Sequence, residues 1–444
     1  MPSVSDLPLP HIVIVGGGAG GVELATHLGD RPGRHGQARI TLVDRNPTHI
    51  WKPRLHEVAT GLMNAPEDEL NYVAQGYEHH FAFALGEMRG VDPMTRTVHL
   101  APVPAPDGSE LVPARSLSYD YLVLAIGSKV NDFGTPGVAE HCHMLDNVQQ
   151  ANRLHQAFLA RAFQVQMGQA EHLSVAIVGA GATGVELASE LHEAVFHLNE
   201  YGGLLKPGKL SITIVDMADR VLPAVDAATS GFARHELEAR GIRMMLGTKV
   251  VKVTPDALHL DNGEVVRAEI KVWASGVKGH DVAGRIQGIE VTRGNQIKVD
   301  AALRALAGEV KSWLNIFCLG DCASFTDPDT GKPVPPTAQA AHQQANTLAR
   351  SLRRVLRGRT PALFRYRYKG TLVSLGADQA AGDLPGFSGW SRSLELRGRA
   401  AKLVYISLYR LHLAALYGWP RVAALTLASL LRRTAHPPIK LHFG

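Results

Sequence analysis

Residues 14–28, IVGGGAGGVELATHL, and residues 177–191, IVGAGATGVELASEL, are one segment written twice, identical at eleven of fifteen positions and 163 residues apart. That offset is far too long for a stacked solenoid repeat. It calls for two copies of one βαβ unit within a chain of 444 residues. Each copy opens on an apolar run, HIVIV (11–15) or SVAIV (174–178). Bounded by glycine, such a run reads as a strand buried on both faces of a parallel sheet. A helix-period stretch follows each run, and then a second strand ending in Asp, ITLVD (40–44) and ITIVD (212–216). Further apolar runs ending in Gly lie at 119–127, 270–276 and 314–321. Strands alternating with helices predict an α/β fold with two Rossmann-like domains. The stretch 86–118, rich in Pro, Val and Thr with a turn at Asp107-Gly108, predicts a small antiparallel meander inserted in the first unit.

The glycines carry the chemistry. Gly16-x-Gly18-x-x-Gly21 follows a strand and opens a helix. The first Gly permits the tight turn, the second lets backbone approach a pyrophosphate, and the third allows close helix–strand packing. The phosphates meet free N–H groups at the positive end of the helix. Asp44 follows Gly21 by 23 residues, the spacing of an acid that holds a ribose hydroxyl. Gly179-x-Gly181-x-x-Gly184 repeats the pattern, with Asp216 as its acid 32 residues on, the longer gap reflecting the extra segment 200–209. An acid there favours NADH, because it repels a 2′-phosphate. Two such sites imply two dinucleotides, and a flavin with a nicotinamide is the economical pair.

Only three cysteines occur, Cys142, Cys318 and Cys322, which excludes a disulfide framework and points to a reducing compartment. The spacing of Cys318 and Cys322 is neither that of a metal site nor that of a CxxC redox pair, so no metal is expected. The opening residues lack the pattern of a secretory signal. No window approaches the ~20 apolar residues that span a bilayer, so a pump built of transmembrane helices is excluded.

The net charge of +5 is unevenly placed. Residues 391–444 hold nine Lys and Arg against Glu395 alone, leaving the other 390 residues slightly acidic. The segment 402–419 is apolar nearly all round, Gly418 and Pro420 break it, and RVAALTLASLLRR (421–433) follows. Apolar faces with basic flanks suit helices lying on an anionic membrane surface. A pair of core helices, or an interface between two copies, fits the same pattern. Nothing suggests nucleic acid as a partner.

These residues resemble the type II NADH:quinone oxidoreductases, single-subunit respiratory dehydrogenases that do not pump protons. The resemblance runs over about residues 11–442, through HIWKPRLHEVATG (49–61), LGDCAS (319–324), PPTAQAAHQQA (335–345), YKGTLVSLG (368–376) and LVYISLYRLH (403–412). It implies a glutathione-reductase-like flavoprotein with a C-terminal membrane-associating α region. The implied layout is an FAD-binding domain in two parts (1–143 and 291–365), an inserted NADH-binding domain (144–290), and a quinone and membrane region (366–444). FAD, held non-covalently, would rest on the first unit, with Arg45, Lys52, Pro53, Gly127, Gly320 and Asp321 also near it. NADH, the substrate, would take the second unit, with Gly276 near the nicotinamide. Asp321 is equally suited to cap a helix. Glu186, two residues past the last Gly of the second loop, would lie by nicotinamide and flavin and handle charge or protons. Glu23 holds the same position in the first copy, so shared ancestry also accounts for it.

Gln339 and Gln343 stand i, i+4 on one helix face and would hydrogen-bond quinone carbonyls, with Ala338, Ala340 and Ala341 leaving room for a flat ring. Lys369 would supply a proton to the quinone. The resemblance implies a membrane quinone as partner, a peripheral position on the cytoplasmic face of the inner membrane, and a homodimer. Alternatives are a sulfide:quinone or ferredoxin-type reductase, which the cysteine placement disfavours, and a redox-sensing flavoprotein that does not turn over.

Overall fold

The computed structural model describes residues 8–63, 69–200, 205, 208–308, 311–376, 378–384 and 394–435. The ends of the basic tail, including Arg392 and Lys440, and most of the extra segment 200–209 lie outside these. The chain divides into two compact units. One comprises residues 1–51, 69–129 and 277–367; the other comprises 52–68, 130–276 and 368–444. The crossings at 129/130 and 276/277 fall earlier than the 143/144 and 290/291 read from the sequence. The reason is local: Trp273 Nε1 donates to the Asn131 carbonyl (2.9 Å), and His143 pairs with Val272, so the 130–143 segment builds onto the second sheet.

The first unit is built on a six-stranded sheet, in the order Arg304–Leu306, Ser312–Cys318, Tyr121–Leu124, His11–Val15, Arg39–Asp44, Ala82–Leu85. All neighbours are parallel except the first pair. Ile12 and Ile14 pair with Ile40 and Leu42, and the strand His11–Val15 is buried throughout, as its unbroken apolar run requires. Residues Met88–Asp92, Thr97–Leu100 and Arg115–Ser118 form the expected antiparallel meander. The helix Ala19–Leu28 packs on the helix Ala338–Val355. A Cβ on Gly20 would stand 3.3 Å from that of Ala341, so the small residues of both helices let them approach.

The second unit centres on a four-stranded parallel sheet, Arg243–Met245, Leu210–Val215, Leu173–Val178, Ile270–Trp273. It also carries two antiparallel sheets that the sequence reading did not foresee, Val250–Val253 with Ala257–Leu260 and Val265–Arg267, and Thr371–Ser374 with Ala380–Leu384 and Leu394–Arg397. The tail forms two helices, Gly398–Tyr417 and Trp419–Ala435. Gly418 (φ +75°) makes the break between them. Pro420 lies in the first turn of the second helix, where its missing N–H costs nothing. Among the described residues, no helix is long and apolar enough to cross a membrane.

Candidate active site

The first glycine loop is a backbone cradle. A Cβ on Gly16 (φ +106°) would fall 2.2 Å from the Ala125 carbonyl oxygen, and one on Gly21 would fall 1.8 Å from the Gly16 oxygen. Gly18 faces open space and begins the helix Ala19–Leu28 without a side-chain cap, so the first N–H groups are bare. The Asp44 carboxylate accepts from Gly17 N (2.6 Å) and Asn46 N (2.8 Å), and burial raises it above the usual Asp range. Tyr72, which carries no signal in the sequence, donates its hydroxyl to the Gly17 carbonyl (2.6 Å) and fills the space a side chain there would need. Arg45 lies 3.7 Å from Glu87.

The second loop repeats the mould. A Cβ on Gly179 (φ +119°) would meet the Ala274 carbonyl at 2.7 Å, one on Gly184 the Gly179 oxygen at 1.9 Å, and Gly181 faces open space. Asp216 accepts from Ala180 N (2.5 Å) and Ala218 N (2.8 Å). Both loops therefore offer free N–H groups and a pinned carboxylate at the strand end, the donor set a dinucleotide needs. Gly127 (φ +70°) and Gly276 (φ +67°) adopt left-handed backbone, and a Cβ on Gly276 would strike the Phe133 ring at 2.5 Å.

In the first unit, the tight turn Gly320–Cys322 is held from several sides. Ser128 donates to the Asp321 carboxylate (2.9 Å), Gln296 to the Asp321 carbonyl (2.9 Å), and Gly320 N to Gln344 Oε1 (2.6 Å). Asp321 does not cap this turn, whose first residue follows Leu319 without a side-chain cap. Gln344, buried and next to the predicted Gln343, is the glutamine that shapes this turn. Gln339 accepts from Tyr366 OH (3.1 Å), and Gln343 exchanges hydrogen bonds with both backbone groups of Arg367 (3.0 and 2.8 Å). Ala340 and Ala341 are buried, with Ala341 beside Gly20 of the first helix.

The second unit contains a buried charged cluster that the sequence only half announced. Glu186 Oε1 accepts from Ser374 N (3.0 Å), and its Oε2 lies 3.6 Å from His56 Nδ1. His56 Nε2 lies 3.3 Å from Glu190 Oε1, close enough for an ion pair but outside hydrogen-bond geometry. Burial alone would lower His56, yet Glu190 and Glu186 raise it to about 9. Burial raises Glu190 to about 7 and raises Glu186 as well. Glu57 goes the other way, because the Arg54 guanidinium that clasps it overcomes burial. Arg54 in turn lies over the Tyr409 ring (4.4 Å). Lys402 donates to Ser374 Oγ (2.7 Å) and the Gly376 carbonyl (2.8 Å). Tyr405, half-buried, is held well above the usual phenol range by desolvation and then by Glu186. Donor atoms of His56, Glu57 and Glu190 lie within 4.8 Å of one another, a spacing open to a metal ion. The clasp of Arg54 on Glu57 suits an ion-pair network better.

The lysine of this cluster is Lys402, and the predicted Lys369 is exposed, just before the strand Thr371–Ser374. Lys52 reaches Asp146 (3.3 Å). Cys318 and Cys322 are buried free thiols with sulfurs 3.5 Å apart, and burial holds Cys318 far above the thiolate range. Burial likewise pushes Cys142 up to about 12. Neither Cys142 nor Cys318 is an activated nucleophile. In the tail, Arg397 pairs with Glu395 and Arg399 with Asp378, so less bare charge faces outward than the sequence count implies.

Residues 10–345 match the family model described as pyridine nucleotide-disulphide oxidoreductase. The chain is 40% identical, over 98% of its length and all of the relative's, to the type II NADH:quinone oxidoreductase of Haemophilus influenzae. It is 28% identical over 84% of its length to the Staphylococcus epidermidis protein of the same name, covering 89% of that relative. The chain thus belongs to the pyridine nucleotide-disulphide oxidoreductases. Within them it is a member of the type II NADH:quinone oxidoreductases, a flavin- and NADH-using family. Its fold matches that of NDH2 from Plasmodium falciparum in complex with NADH, with a TM-score of 0.79, 18% identity, and coverage of 98% of this chain and all of that one. The sulfide:quinone oxidoreductase of Aquifex aeolicus shares the fold at a TM-score of 0.70 and 19% identity, covering 98% of each chain.

Proposed function

We propose that this protein is an FAD-dependent NADH:quinone oxidoreductase that works peripherally on the cytoplasmic face of the inner membrane without pumping protons. The observation that carries the reading is the pair of bare glycine cradles, each with an aspartate pinned at its strand end. The first cradle, with Asp44, Asp321 and Ser128, would hold FAD; the second, with Asp216, would hold NADH. The bound flavin supplies hydride acceptance from NADH and two-electron delivery to a quinone.

The chain's own residues bind, orient and manage protons. Gln339 and Gln343 offer amides to quinone carbonyls. Quinol formation also consumes protons, and Glu186 is built to hold one: burial raises it, while Ser374 N fixes its Oε1. His56 and Glu190 lie behind it as further proton holders, with Lys402 bonded to the Ser374 hydroxyl. We assign the cationic role to Lys402 rather than to the exposed Lys369. The tail helices expose Leu403, Leu411, Leu427 and Leu431, apolar side chains that suit the membrane interface.

The test is an anaerobic absorbance titration. NADH should bleach the flavin band and a soluble quinone should restore it; a band untouched by NADH refutes the reading. Extraction of the flavin identifies FAD by its mass. Removing residues 419–444 should weaken flotation with anionic vesicles while bleaching persists. The cut spares Lys402, Tyr405 and Tyr409. NADH oxidation by inside-out but not right-side-out membrane vesicles tests the cytoplasmic face.

A further inference from the structure

The first unit holds an arginine-lined cavity of about 900 Å³ that none of the chemistry above uses. Two separate elements build it. The π-helical turn Gly29–Gly33, which closes the helix of the first glycine loop, presents Arg31 and, just beyond it, Arg34. Arg34 N donates to the Gly29 carbonyl (2.7 Å) and Gln37 N to the Pro32 carbonyl (2.8 Å), which fixes that turn. The C-terminal half of the helix Ala338–Val355 presents Arg350 and Arg353, three residues apart and so on one face.

The four guanidiniums gather without carboxylates to balance them. Among the described residues none is paired with an acid. Arg350 donates to Thr347 Oγ1 (3.3 Å) and Arg353 to the Ala349 carbonyl (3.0 Å), both uncharged. The acid on the wall, Asp30, is engaged by His79 Nδ1 at 2.9 Å. Burial lowers Arg353 from its ordinary value, and its cationic neighbours Arg31, Arg357 and Arg350 lower it further. A helix C-terminus attracts cations, which accounts for Arg353 on its own helix. Arg31, in the last turn that closes the first helix, has the same attraction to its own helix end, but this does not explain why two separate helix ends bring their cations to one hollow. Arg31, Arg34 and Arg350 are exposed and Arg353 is half-buried, so solvent screens part of their repulsion and a bound anion would relieve the rest.

We propose that this cavity binds a multiply charged phosphoryl group, through guanidinium forks on its oxygens. The volume lies within the range of small-ligand sites. Arginine is the side chain whose planar donors match phosphoryl oxygens in pairs. Four cations call for a diphosphate or a phosphomonoester dianion rather than a single carboxylate. The source is either a soluble diphosphate compound or the head group of an anionic phospholipid.

Isothermal titration of the full-length, flavin-loaded protein tests this, with NAD+ present in saturating amount to block the second glycine loop. The probes are inorganic pyrophosphate and, separately, water-soluble dihexanoyl phosphatidic acid. At least one should bind, and R350Q/R353Q and R31Q/R34Q should each weaken it by about tenfold or more. Arg293→Gln, an exposed position elsewhere in the unit, should leave it unchanged. Relief of repulsion means that neither double variant melts below the wild type when unliganded, which guards against misfolding. Pyrophosphate binding alone assigns a soluble diphosphate, and phosphatidic acid binding alone assigns a head group. If neither probe binds the wild type, or the double variants bind equally well, the proposal is overturned.

Discussion

Glu23 and Glu186 occupy the same position in two copies of one fifteen-residue segment, and the fold sends their carboxylates in opposite directions. Both are buried. Glu23 lies 2.8 Å from His342 Nδ1 and 3.4 Å from His27 Nε2, and it accepts from Asn346 Nδ2 at 2.9 Å. Burial pushes it up, but these partners win and hold it below the usual Glu range. At Glu186 burial wins over His56 and the Ser374 N–H. The first copy favours the charged carboxylate; the second disfavours it.

Separating the two glutamates is the first expected outcome. Glu23→Gln weakens the bonds of a buried side chain to half-buried partners and should cost about 1–3 kcal/mol. Thermal melting of the flavin-loaded protein reads this as a loss of several degrees, with turnover per folded molecule preserved. Glu186→Gln should melt near the wild type while kcat falls by about ten- to a hundredfold and its pH profile changes. A reversed pattern would remove Glu186 from the proton path.

Stability should fall as pH rises from mildly acidic to alkaline. Glu190 is raised from 4.5 to about 7 and His56 from 6.5 to about 9, so the folded state binds more protons than the unfolded one in both windows. Their stabilisation is complete below the unfolded values and lost through the folded ones. Glu190→Gln should flatten the first window, and also the second, since Glu190 is the carboxylate that raises His56 most. Denaturant midpoints from pH 5 to pH 9 check this, and an unchanged slope in the variant would refute it.

Lys402 and Lys369 make a second contrast. Lys402→Met removes the cation bonded to Ser374, and kcat with quinone should drop by about tenfold or more. Lys369→Met, at an exposed position, should stay within about twofold. Steady-state kinetics on purified protein decide between them.

Asp216→Asn keeps an acceptor for Ala180 N but removes the charge that faces a 2′-phosphate. The preference of kcat/KM for NADH over NADPH should shrink by about five- to thirtyfold, the value of one like-charge repulsion of ~1–2 kcal/mol.

The glycine loops, their acids and the order of the parallel strands were legible because each rests on local spacing and short apolar runs. Glu186 was legible only through resemblance, since its twin Glu23 has the same neighbours in sequence and another role. His56, Glu190 and Lys402 meet from segments more than a hundred residues apart, and no local pattern records that meeting. Lys402 was hidden further by a basic, apolar stretch that reads as surface. Gln344 is not distinguished from Gln343 by the sequence, because helix periodicity gives faces but does not say which face is buried. Tyr72 fills a hollow defined by a glycine 55 residues away, so only the fold reveals it.

In each loop the third glycine stands almost against the carbonyl of the first, at 1.8 Å in one copy and 1.9 Å in the other for an added Cβ. No single replacement at either site fits, because the obstacle is backbone and has no rotamer to turn aside. The two copies have drifted apart at Gly17 and Ala180, at Gly20 and Thr183, at Thr26 and Ser189, and at His27 and Glu190, yet they retain all three fingerprint glycines. A duplicated gene is free to specialise only where its mould has slack. Retargeting of either nucleotide, by selection or by design, therefore has to run through the strand-end aspartates and the surrounding walls, with the loops themselves left untouched.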